Sequence, residues 1–144
     1  MNDNDVRHII YDITMKEGVP PSSARVAEKS GEPVGSVLES FRRLAENRMI
    51  VLQPGGQILM AGPFSSVPTP FKVTTSAFST YGNCIWDSLG IPAMVKSDAV
   101  VETNCADCGE HAKIIVMNGA ITGSSGFMHF VVPARLWWTH IIYT

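Results

Sequence analysis

Residues 81–92 read Tyr81-Gly82-Asn83-Cys84-Ile85-Trp86-Asp87-Ser88-Leu89-Gly90-Ile91-Pro92, and the rest of the chain is arranged around them. Ile85, Trp86, Leu89 and Ile91 recur at helical spacing about a Cys-x-x-Asp pair, which predicts a helix ending near Pro92. Positions three apart share one face of a helix. The Cys84 thiol and the Asp87 carboxyl are therefore expected to look into the same space.

That pairing has a chemical use. A thiolate is a soft nucleophile and ligand, whereas a carboxyl set in a partly apolar wall has a raised pKa and can carry a proton near neutral pH. Together they can capture a soft electrophile and protonate whatever leaves it. The plain structural alternative is a buried, inert cysteine beside a solvated aspartate.

Upstream, apolar residues at helical spacing over 6–15 and 24–29 mark two helices, the first stopped by Gly18-Val19-Pro20-Pro21 and the second capped by Ser22 or Ser23 and closed by Gly31. Pro33 starts a third, with Val34, Val37, Leu38, Phe41, Leu44 and Ala45 on one stripe and Asn47 at its end. Two apolar runs, 49–52 and 57–60, flank Gln53-Pro54-Gly55-Gly56 and read as a β-hairpin. Three helices and a hairpin suggest a winged-helix-like segment over residues 1–62.

Charge argues against nucleic acid as its partner. Through Gly62 the basic residues Arg7, Lys16, Arg25, Lys29, Arg42, Arg43 and Arg48 are outnumbered by the acidic Asp3, Asp5, Asp12, Glu17, Glu28, Glu32, Glu39 and Glu46. The third helix shows Glu39 and Glu46 beside Arg42 and Arg43, whereas phosphate contact favours a basic stripe.

Residues 63–80 are expected to be a packed linker, rich in Pro, Ser and Thr yet carrying Phe64, Val67 and Phe71, with a short strand at 71–75. Residues 81–144 then form the second domain. Strands are expected at 99–103, 113–117 and 127–132, with a Gly- and Ser-rich turn region at 119–126, a helical turn at 133–138 and a terminal strand at 141–144. The fold class is α+β, with a mixed sheet carrying the Cys84 helix. Trp86, Trp137 and Trp138 are expected to pack the core or line an apolar pocket, and His129 to be a structural or partly exposed residue on its strand.

The 144 residues are 45% hydrophobic and 17% charged, enough for one core or two small ones, with a net charge of −2 that attracts neither nucleic acid nor an anionic membrane. No apolar run reaches the ~18 residues of a membrane span and the start, Met1-Asn2-Asp3-Asn4-Asp5, is acidic, so a cytoplasmic location is expected. Three cysteines, an odd number, point to reduced thiols rather than a disulfide framework. Two of them form Cys105-x-x-Cys108-Gly109-x-His111. This is half a metal knuckle, because a structural zinc needs four ligands and no matching Cys or His pair occurs.

Several stretches, in order, resemble the organomercurial (alkylmercury) lyase family: Pro68-Thr69-Pro70-Phe71, the Cys84-x-x-Asp87-x-Leu89-x-x-Pro92 frame, the cysteine-bearing loop and strand of residues 101–119, and Val132-Pro133-Ala134-Arg135-x-Trp137-Trp138. The resemblance implies a lyase that cleaves carbon–mercury bonds by protonolysis with two cysteines and an aspartate, without an organic cofactor. Cys84 matches the first cysteine and Asp87 the aspartate. The second cysteine is expected after the strand following Trp138, and none occurs between Trp138 and Thr144; Cys105 or Cys108 is the candidate to supply that sulfur. The implied partners are an organomercurial substrate, Hg(II) held as product by Cys84 and Asp87 with Cys105 and Cys108, and cellular thiols that remove it. A sheet edge left open at residue 144 would suit a homodimer. The alternative is a non-catalytic, thiol-based metal-binding or regulatory protein on the same scaffold.

Overall fold

The computed structural model describes residues 1–124 and 126–143. Helix α1 (Asp3–Glu17) opens on a reciprocal cap: the Asn2 side chain accepts the Asp5 N–H at 3.0 Å while the Asp5 carboxylate accepts the Asn2 N–H at 3.1 Å. It closes at Gly18, whose φ of 77° is the left-handed conformation that glycine adopts without strain. Helices α2 (Ser23–Ser30) and α3 (Val34–Glu46) follow, then strands β1 (Val51–Leu52), β2 (Ile58–Ala61) and β3 (Phe64–Ser65) in one antiparallel sheet. The apolar stripes of the three helices and of β2 meet in one core, built on Val6, Ile10, Val26, Val37, Phe41, Leu44, Ile50 and Ile58. Each such side chain contributes about 1.5–3 kcal/mol by leaving water. Arg43 makes a bidentate ion pair with Asp3, at 2.8 and 2.9 Å, so its guanidinium is already occupied by a neighbouring helix.

The second sheet has five strands in the order β5-β4-β6-β7-β8: β4 (Lys72–Thr75), β5 (Ser79–Tyr81), β6 (Ala99–Asn104), β7 (His111–Met117) and β8 (Ala120–Thr122). Residues 63–80 thus carry β3, β4 and most of β5. Helix α4 (Ile85–Val95) lies on one face, where Ile91 packs with Phe64, Val73, Ala99 and Val101 in a second core. Alternation places Ala99 and Val101 of β6 on this face. Strand β3 joins the two halves, pairing with β2 and bridging through Phe64 to Gly82. The Thr80 hydroxyl also donates to the Gly18 carbonyl across the junction.

The α+β class holds, but several details differ from expectation. Every described strand pairing is antiparallel, so the second sheet is not mixed. Helix α4 runs past Pro92 to Val95, since Val95, one turn after the buried Ile91, still packs against the second core. The turn region at 119–126 contains β8. Residues 127–132 form no strand, and Phe127 (104%) and Val131 (88%) are exposed. The Phe130 and Trp137 rings lie 5.3 Å apart, and Trp137 Nε1 donates to the Val132 carbonyl at 2.8 Å. The helical turn is a 3-10 helix, η1 (Ala134–Thr139), and Ile141–Tyr143 is a second, η2, where a strand was expected; Thr144 lies outside the described residues. No helix among the described residues is long and apolar enough to cross a membrane.

Candidate active site

The strand-to-helix turn after β5 is pinned on every side. Gly82 N–H donates to the Phe71 carbonyl at 3.0 Å, the Thr69 hydroxyl donates to the Gly82 carbonyl at 2.6 Å, and Asn83 N–H donates to the Pro63 carbonyl at 3.3 Å. A Cβ on Gly82 would sit 2.7 Å from Ser88 N and 2.8 Å from Ser88 Cα, inside the first turn of α4. Gly82→Ala is therefore expected to push the helix start off the sheet and cost about 1–3 kcal/mol, as overpacking does. A thermal melt checks this; an unchanged midpoint would show that the helix has room to yield.

Cys84 is the N-cap residue of α4, not a residue within the helix. Its sulfur accepts the Asp87 N–H at 3.4 Å. The Cys-x-x-Asp spacing thus brings the two groups together as cap and third helical residue, where the helix dipole favours a thiolate. Burial outweighs it: desolvation pushes the Cys84 pKa up, the Asp87 N–H pulls it down, and the Asp87 charge adds to the rise. Asp87 is likewise raised by burial, partly offset by the Asn83 amide. The site therefore holds its proton on sulfur while keeping the carboxyl a stronger base than one in water.

Asn83 is the residue whose part was not read from sequence. Its Nδ2 donates to Asp87 Oδ2 at 3.0 Å and to the Pro63 carbonyl at 3.1 Å, while its Oδ1 is buried without a protein partner. The signal was its place four residues before Asp87, across the first turn. Tyr11 of α1, whose hydroxyl donates to the Gly62 carbonyl at 3.0 Å, also approaches: its pKa is raised by burial, lowered by Arg7 and raised again by the charge of Asp87.

Cys84 opens on a groove of about 330 Å³ lined by Phe71, Asn83, Ile85, His129, Phe130, Val131, Val132, Trp137 and Ile142. Asp87 does not line it, and reaches the groove side through Asn83. Trp137 is a wall, as expected of the tryptophans. Trp86 is 60% exposed, because the cap at Cys84 turns the second helical position outward. Trp138 is exposed and lies beneath the Arg48 guanidinium, 5.9 Å from its ring centre. His129, off any strand, is exposed at the groove edge. Cys105 and Cys108 lie elsewhere, in the exposed turn between β6 and β7, and neither lines the groove. Among the described residues no three His, Cys, Asp or Glu side chains gather as a metal site.

A sequence model of one family, MerB: Alkylmercury lyase, matches residues 64–144, the stretch that holds the groove, Cys84 and Asp87. The chain belongs to the alkylmercury lyase family. Among solved structures, one described as the mercury-bound form of MerB2 has the same fold, with a TM-score of 0.66 and 21% sequence identity over 83% of this chain. The alkylmercury lyase fold seen here spans 59% of the length of that structure. No curated protein matches the chain.

Proposed function

We propose that the chain cleaves carbon–mercury bonds of organomercurials by protonolysis. The observation that carries this is the Cys84 sulfur, capped by the Asp87 N–H at the mouth of an apolar groove, with the Asp87 carboxyl one turn away. The substrate, R–Hg–X with X a thiolate or halide, enters along Trp137, Phe130 and Ile85, which accept an alkyl or aryl group. The Cys84 thiol passes its proton to the Asp87 carboxylate as sulfur bonds to mercury and X leaves as an anion. Asp87, now neutral in a poorly solvated setting, delivers that proton to carbon; the C–Hg bond breaks, a C–H bond forms, and the hydrocarbon R–H departs. Mercury remains on the Cys84 sulfur as Hg(II), and solution thiols remove it by exchange.

The test is release of benzene from phenylmercury with excess thiol, followed by gas chromatography. Benzene formed in proportion to protein and well above the thiol-only rate is expected. A rate equal to that of thiol alone overturns the reading.

A further inference from the structure

Six residues join β6 to β7, and their backbone closes tightly. Cys105 N–H donates to the Glu110 carbonyl at 2.8 Å, Gly109 N–H donates to the Cys105 carbonyl at 2.9 Å, and Gly109 takes a φ of 75° that favours glycine. The turn brings Cys108, three residues on, back toward Cys105, whose pKa is lowered by the backbone N–H groups of Cys108 and Asp107 and by the Cys108 side chain. Two exposed thiols thus share one tight turn, closed by backbone bonds at both ends of the pair.

We propose that Cys105 and Cys108 form a second, surface site for a soft two-coordinate cation, with Hg(II) bound as S–Hg–S. The donor set selects this class of ion. The His111 ring faces Asn104, with Nδ1 3.3 Å from its Oδ1, and Glu102, with Nε2 3.9 Å from its Oε1. No third ligand joins the sulfurs among the described residues. Zinc in a structural site needs four ligands, whereas a soft ion that prefers thiolates is satisfied by two. Binding replaces the remaining thiol protons by one metal–sulfur bond to each sulfur and moves no electrons.

The sheet gives the site a place relative to the groove. Strands β5 and β6 both run antiparallel to β4, and Lys72 pairs with Tyr81 on one side and Glu102 on the other. Both strands therefore end at the same end of the sheet, one leading to Cys84 and the other to Cys105. The groove and the Cys105–Cys108 turn thus belong to the same end of the sheet, with β4 between their strands. The proposal rests on the reading above only for the identity of the ion.

The experiment uses the reduced full chain carrying Cys84→Ser, titrated with Hg(II) chloride, with free thiols counted and the species weighed by native mass spectrometry. Loss of both thiols at one ion per monomer is expected. Adding Cys105→Ser or Cys108→Ser should weaken retention against glutathione by about 10²–10⁴-fold, since the second bond is no longer intramolecular. Two chains bridged by one ion, or thiols still free at one equivalent, would overturn the site. The two readings fail separately. With Cys84 intact, the Cys105→Ser, Cys108→Ser double variant should release benzene at the parent's rate in a single turnover, and failure of the parent to release benzene leaves the titration unaffected.

Discussion

A Cys84→Ser chain is expected to release benzene from phenylmercury no faster than thiol alone, while melting at or above the parent's temperature. The two halves of this result come from the two tasks of one atom. As a ligand, the Cys84 sulfur is the soft donor that mercury requires, and a hydroxyl of ordinary acidity neither bonds mercury well nor gives up a proton to Asp87. As an N-cap, the same sulfur accepts the Asp87 N–H over 3.4 Å, a long contact for a group that serine, among the best N-caps, bonds well. Chemistry is thus removed without loosening the turn. Gas chromatography and a thermal melt on the same sample separate the tasks. Benzene at the parent's rate would show that another group receives the mercury.

The parts of this architecture that were legible in sequence are those set by local pattern. The stripes of α1 and α3, the glycine stops at Gly18 and Gly31, and the alternation of β6 and β7 each bury a face that the residues themselves define. Residues 127–132 misled because they are mostly apolar like a strand, yet they join no described ladder; Phe130 packs on the Trp137 ring and the Val132 carbonyl accepts the Trp137 Nε1 proton. At the site, the Cys-x-x-Asp spacing announced that the two residues would lie a turn apart, although Asp87 does not line the groove onto which Cys84 opens. It did not announce that Cys84 would be a cap, and so it hid the outward turn of Trp86. The contact of Asn83 with Pro63 joins residues twenty apart through β3 and β5, and no local pattern encodes it. Cys105 and Cys108 were recognised as a pair from their spacing, but their separation from the groove is a property of sheet order.

Asp87→Asn should cost activity and add stability, with opposite dependence on pH. Loss of a positioned general acid removes about 10²–10⁴-fold from the rate. On stability the sign follows from burial, which raises the folded-state pKa of Asp87 against the smaller opposing effect of Asn83. The folded chain therefore holds this proton more tightly than the unfolded one, whose aspartates titrate near ~3.9. The parent loses stability as pH rises from that value through the raised folded pKa, and stays without it above. An amide carries no charge to desolvate, and its carbonyl can still accept the Asn83 bond. The variant should then melt above the parent at neutral pH, by about 2–4 °C for each kcal/mol relieved, and the gap should close as pH falls below the unfolded value. Melts across this range decide the matter. A parent more stable than its variant at neutral pH would mean that Asp87 is held as a well-paired carboxylate, a poor acid for delivering a proton to carbon.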